Sequence, residues 1–203
     1  MTKRSEQLLS ESKKRRTYRQ FLKEPINLEI IKNCIMTAGT APSGADKQPW
    51  HFCVVTDPAM KEKIRTEAEK IEKTFYEEKI SADWQADLDK LNISYEKPFL
   101  TEAPCLIVIF KEFYQLLADG SKDKNYYVTE SVGIATDLLI NALRDSGYAS
   151  LTYTPAPPTF LQDLLNRPEG ETAMMVLCVG KPDPDYQLPK LKKKTLNDIA
   201  SFM

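Results

Sequence analysis

The chain has 203 residues, 42% of them hydrophobic, which is enough to bury a sizeable core, and no linker or repeat divides it, so a single domain over 1–203 is expected. A formal net charge of −1 gives no overall attraction to nucleic acid or anionic membrane, and no apolar run approaches the roughly 20 residues that span a bilayer. One histidine, His51, and four cysteines (Cys34, Cys53, Cys105 and Cys178) without redox or zinc spacing offer neither a histidine metal cluster nor a Ser-His-Asp arrangement. The chemistry therefore has to come from carboxylates or from an added cofactor. The thiols sit in apolar runs and read as reduced core groups. With a start, MTKRSEQLLSESKKRR, that lacks the apolar centre of a signal peptide, they predict a cytoplasmic protein.

In chain order, the first distinctive segment is Arg15-Arg16-Thr17-Tyr18-Arg19. Three guanidinium groups in five residues supply the fork geometry that grips a phosphate, or else form a solvated basic face. Helical periodicity follows over Leu28 to Ala38. The stretch TAPSGADKQPW, Thr40 to Trp50, is a tight loop in which Pro42, Ser43, Gly44 and Ala45 either bring backbone N–H groups against a planar ligand or only make a turn. Together the basic segment and this loop suggest a flavin mononucleotide (FMN) site. A strand is predicted over His51 to Val55 and a charged helix after Pro58.

From about 70 to 97 the chain is polar and charged without a continuous apolar stripe. It reads as a lid that orders over a ligand, or as a surface hairpin packed by Phe75, Tyr76, Trp84 and Tyr95. Strands are predicted at Cys105 to Phe110 and Met174 to Val179, with a weaker one at Ala149 to Tyr153. Between Tyr127 and Leu143 a broad small and apolar face predicts a central buried helix, stopped at Gly147. The segment from about 186 to 203 is too polar for a core element and is either a mobile tail or an arm laid over a neighbouring molecule. The fold class is α+β.

Taken together, RRTYR, TAGTAPSGADKQPW, the helix around Glu72 and Tyr76, APCLIVIF, TYTP, NRP and VGKP make the chain similar to the nitroreductase-like flavoproteins, and within them to the iodotyrosine deiodinases. The resemblance covers nearly the whole chain. It implies a central mixed sheet flanked by helices and an intertwined homodimer with two flavin sites at the subunit interface, the segment at about 186–203 embracing the partner. It implies that Arg15, Arg16, Thr17 and Arg19 surround the FMN phosphate and ribityl chain, with Pro42, Ser43 and Gly44 beneath the flavin. Thr152, Tyr153 and Thr154 match the segment along the ring, where the Thr154 hydroxyl donates to N5. The family pattern expects a phosphate-binding arginine in the C-terminal basic segment. Here the matching position is Lys193, which keeps the charge and loses the bidentate fork.

For the substrate, the resemblance matches Glu72, Tyr76 and Lys97 to the side chains that grip the amino acid part of a halotyrosine, and the Ala45 N–H to the phenolate oxygen. A carboxylate for the ammonium, with an ammonium and a phenol for the carboxylate, is the set a zwitterion requires, and Glu72 and Tyr76 are four apart on one helix face. The same residues, taken alone, fit ordinary solvated charges. The implied reaction is reductive dehalogenation of halotyrosines, with electrons from another reductase. The vertebrate deiodinases carry an N-terminal membrane anchor, and a soluble relative is expected here. A general FMN-dependent NAD(P)H nitroreductase acting on nitroaromatics or quinones would need no clamp. A noncatalytic binding protein would hold its ligand without turnover.

Overall fold

The computed structural model describes residues 2–78, 80–90 and 93–203. Its elements are α1 (Thr2–Lys13), α2 (Leu28–Ala38), a 3-10 turn (Gly44–Asp46), β1 (Trp50–Val55), α3 (Pro58–Glu78), α4 (Ala82–Asp89) and α5 (Phe99–Glu102). These are followed by β2 (Cys105–Glu112), β3 (Tyr114–Leu116), β4 (Lys122–Lys124), α6 (Val128–Asp145), β5 (Ala149–Tyr153), α7 (Thr159–Leu164), β6 (Glu171–Gly180) and α8 (Leu196–Ile199). Four strands form a sheet in the order β1-β2-β6-β5, while β3 and β4 make a separate hairpin.

The sheet is the centre of three layers because β2 and β6 are apolar on both faces. Along β2, Leu106, Val108 and Phe110 point into one core with Ile64 and Ala68 of α3, Leu100 of α5 and Leu161 of α7. Cys105, Ile107 and Ile109 point into the other, against Ile31, Cys34 and Ala38 of α2 and Val128, Val132, Leu139 and Leu143 of α6. Each pair of neighbouring strands runs antiparallel. The expected mixed sheet is therefore not found: among the described residues its strands pair antiparallel, and the parallel bridge from Thr17 to Ser150 lies outside the named strands, beside β5. The link from β5 to β6 is a short excursion through α7, which returns the chain antiparallel to its neighbour.

Local chemistry sets the helix ends. Asn27 caps α2 by accepting from the Glu29 N–H at 2.9 Å, and its own N–H donates to the Tyr148 hydroxyl at 2.9 Å, fixing the start of α2 to the end of α6. Gly147, at φ 83°, ends α6 two residues after Asp145, where the Tyr148 N–H reaches back to the Leu143 carbonyl. All four cysteines are free, and Cys105 is buried enough that its thiol is pushed up to about 12. Among the described residues no helix is long and apolar enough to cross a membrane.

Leu139 is fully buried in the layer between the sheet and α6. Leu139→Ala is expected to destabilise the fold by roughly 3 kcal/mol through lost burial and a residual cavity, measured as a lower denaturant midpoint in urea unfolding.

Candidate functional site

The site begins with the buried face of α3. Lys61, Ile64 and Ala68 are buried and follow the 3.6-residue period, and Glu72 and Tyr76 continue the same stripe at steps of four. A face that is core lower down thus carries a carboxylate and a phenol where the helix passes the end of β5. The described part of the expected lid is the last two turns of α3, then α4 and the descent from Ile93 to Lys97; its residues 79, 91 and 92 lie outside the described residues. Phe75 packs edge-on against Trp84 of α4 at 5.0 Å between ring centres and against Tyr76 at 6.0 Å.

Glu72 and Lys97 meet as an ion pair at 3.2 Å, with side chains 16% and 4% exposed. The other Glu72 oxygen accepts from the Tyr153 hydroxyl at 3.2 Å. The Lys97 ammonium also donates to the Ser94 carbonyl. It sits 5.5 Å from the Tyr76 ring centre and 5.9 Å from that of Tyr153, within cation–π range of both. Burial lowers the Lys97 pKa, and the Glu72 charge opposes that shift. Burial also pushes the Tyr153 phenol up, with the Glu72 carboxylate adding to it, so Tyr153 keeps its proton and donates.

These groups line a cavity of about 230 Å³ together with Arg19, Leu88, Ile93, Phe99, Thr152 and Thr154. An apolar and aromatic wall thus surrounds one buried pair of opposite charges. Such a cavity suits a small molecule that carries both signs of charge on an apolar body.

Of the residues singled out in the sequence, Arg19, Glu72, Tyr76, Lys97, Thr152, Tyr153 and Thr154 share this cavity. Arg15, Arg16 and Thr17 do not line it. Thr17 bridges to Ser150, so the basic segment runs along the β5 edge, and the Arg16 guanidinium donates to the Pro189 carbonyl of the C-terminal segment. Lys193 lies farther along that segment and is exposed.

The Pro42–Ala45 loop sits elsewhere. It feeds β1, the opposite edge of the sheet, about 14 Å from β5 across three strand spacings. Ala45, Asp46 and Gln48 have φ of 51°, 54° and 50°, in the left-handed region that residues other than glycine seldom adopt. The loop is held there by the Gln48 N–H donating to Ser43 Oγ at 2.9 Å and by Lys47, which bonds Asp123 at 2.6 Å. At Gly44 a Cβ would lie 2.9 Å from both the Tyr126 carbonyl oxygen and a Tyr127 ring carbon, so only glycine fits against that chain.

Sequence reading missed Glu69. Its carboxylate accepts from the Lys97 backbone N–H at 2.7 Å and from Arg65 at 2.7 Å, tying the Lys97 segment to α3. Nothing in the local pattern marks it among the neighbouring carboxylates of this helix.

The chain belongs to the nitroreductase family, whose model matches residues 12–181. Within that family its similarity is to iodotyrosine deiodinases. It is 48% identical to the iodotyrosine deiodinase of Haliscomenobacter hydrossis over 93% of this chain and 84% of that one, and 42% identical to human iodotyrosine deiodinase 1 over 98% and 69%. The fold superposes with a TM-score of 0.83 on a crystal structure of oxidized iodotyrosine deiodinase bound to FMN and 3-iodo-L-tyrosine, at 34% identity, covering 96% of this chain and all of that one.

Burial raises the Glu69 pKa, but the bonds from the Lys97 N–H and Arg65 outweigh it and hold the carboxyl below its ordinary value of 4.5. A depressed carboxyl stabilises the fold fully above its unfolded value and loses that contribution as pH falls through the folded one. The stability difference between wild type and Glu69→Gln should therefore be constant above about pH 5.5 and shrink below pH 4.5, as read from urea unfolding across that range.

Proposed function

We propose that the protein is an FMN-dependent iodotyrosine deiodinase that removes halide from halotyrosines. The observation that carries this reading is the buried Glu72–Lys97 pair in an aromatic cavity at the end of β5. Keeping opposite charges out of water on an apolar wall costs desolvation free energy that their attraction only partly offsets, so such a pair is poor evidence of stability alone. The ammonium and carboxylate of an amino acid use both. The substrate ammonium takes the Glu72 oxygen that Lys97 holds, and Lys97 turns to the substrate carboxylate, with the Tyr76 phenol alongside. Similarity to iodotyrosine deiodinases over nearly the whole of this chain supports the same reading.

The residues fit FMN by the chemistry of their donors. Arg15, Arg16 and Arg19 offer planar guanidinium forks beside the β5 edge, and Thr17 lies among them; the hydroxyls of Thr152 and Thr154 stand on the exposed side of that strand. Lys193, on the segment that Arg16 contacts, is a further cation for the phosphate. FMN, once bound and reduced by the separate reductase, would supply the two electrons of the reaction, in which the aryl–halogen bond is replaced by aryl–hydrogen: ArI + 2e⁻ + H⁺ gives ArH + I⁻. The chain's part is to orient the ring, exclude water and hold a donor hydroxyl at Thr154 by the flavin.

The Pro42-Ser43-Gly44-Ala45 loop and the clamp lie on opposite edges of one sheet, which favours a site completed across a homodimer. In that arrangement the loop, with Ser43 and the Ala45 N–H, would be supplied by the second copy to hold the flavin and the phenolate oxygen. The termini support it: α1 has no buried residue, and Leu191, Leu196, Ile199 and Phe202 are all more than half exposed, apolar groups suited to wrapping a second copy. The segment over about 70–97 serves as the lid, the single domain is cytoplasmic, and a separate reductase supplies electrons.

Anaerobic incubation of the flavin-loaded protein with dithionite and 3-iodo-L-tyrosine should yield tyrosine and iodide in equal amounts over many turnovers. Iodide absent while the flavin is reduced would sink the reading. Rapid reoxidation of NADPH with nitroaromatics would instead favour a general nitroreductase, and tight binding without turnover a binding protein. Glu72→Gln and Lys97→Ala should each weaken 3-iodo-L-tyrosine binding by about 1–3 kcal/mol, roughly 5- to 150-fold, with flavin content unchanged in absorbance spectra.

A further inference from the structure

We propose that Tyr153 is a positioning residue for the substrate clamp, holding the Glu72 carboxylate in place while the substrate ammonium displaces Lys97 from it. This rests on the deiodinase reading given above and assigns a role that the side chain's place on a flavin-facing strand does not suggest.

The strand geometry divides the work. Side chains alternate along β5, so Thr152 faces outward and is exposed while Tyr153 faces inward and is 7% exposed. Register agrees. Tyr153 pairs with Val176, which belongs to the core under α3, whereas Thr152 pairs with Leu177, which belongs to the core under α6. The Tyr153 ring packs edge-on against the Phe99 ring at 5.8 Å, and its hydroxyl donates to Glu72 Oε1 at 3.2 Å.

Glu72 therefore has two partners of different kinds. Lys97 is a flexible cation on the segment after α4, able to turn to another anion. Tyr153 is a neutral donor on a strand of the central sheet, and burial keeps its proton in place. When a zwitterion enters, exchange at one carboxylate oxygen leaves the other bonded to the strand, so the carboxylate does not have to be ordered anew. Because Tyr153 sits between Thr152 and Thr154, the amino acid grip and the flavin-side hydroxyls share one rigid strand end. A substrate held by its amino acid part would thereby be placed relative to the Thr152 and Thr154 hydroxyls.

The test is Tyr153→Phe, which keeps the ring and removes the hydroxyl. Oxidised, flavin-loaded wild type and variant are titrated with 3-iodo-L-tyrosine and with 2-iodophenol, which carries the halogenated ring without the zwitterion. Flavin fluorescence reports binding. The expected result is a fall of about tenfold in affinity for 3-iodo-L-tyrosine, no change for 2-iodophenol, and unchanged flavin content. In a Glu72→Gln background the same substitution should cost less than about twofold, because the bond it removes no longer has its charged acceptor. Equal losses for both ligands, loss of flavin, no loss at all, or full additivity with Glu72→Gln would each overturn the role. Wild type that neither binds nor dehalogenates 3-iodo-L-tyrosine would remove the functional reading and this inference with it. Wild type that does both, with Tyr153→Phe unchanged, would remove the inference alone.

Discussion

Two opposite charges withdrawn from water set the terms for everything around them. Glu72 and Lys97 lie 3.2 Å apart with little exposure, and neither would be tolerated there without the other. Their neighbours follow from that constraint. Tyr153 donates to the second oxygen of the carboxylate, the Ser94 carbonyl accepts a hydrogen bond from the ammonium, and Glu69 holds the Lys97 backbone N–H. Aromatic rings close the walls because they supply apolar area and a π face to the cation at once. With Tyr153 and the Ser94 carbonyl, the pair satisfies itself.

The fold places this pair by simple means. A long helix packs its lower half on the sheet through Ile64 and Ala68 and carries the same stripe past the sheet's end, where Glu72 and Tyr76 take the inward positions. A strand ends beside it with Tyr153. Glu72 and Tyr153 are thus held by a core-packed helix and the end of an edge strand, and Lys97 arrives on irregular chain. Catalytic sites gain accuracy when their groups sit on elements that the core already fixes.

Much of this was legible in the sequence, for identifiable reasons. β2 and β6 announced themselves as unbroken apolar runs, and α6 through its broad small-residue face ended by Gly147. Glu72, Tyr76 and Lys97 came from resemblance rather than pattern, since on charge alone they are indistinguishable from the carboxylates and lysines around them. Glu69 was invisible for the same reason: its role depends on a backbone N–H twenty-eight positions away. The direction of Tyr153 could not be read because β5 is short, and its alternation becomes meaningful only once its neighbour strand and the helix above are known. The sheet's antiparallel character was hidden too, because the runs between predicted strands contain helices whose lengths fit either sense of return.

The continuous burial of β2 has a consequence for how the chain reaches this structure. Cys105-Leu-Ile-Val-Ile-Phe110 has no charge, no proline and strong strand preference, the composition that stacks readily into intermolecular sheets. In the finished molecule it is shielded by β1 on one side, β6 on the other and a helical layer on each face. During synthesis β1 is already available to it, but β6 emerges only about sixty residues later. For that interval one edge of the most adhesive strand in the protein stands open, followed at once by Lys111 and Glu112, charges that discourage a foreign strand from adding there.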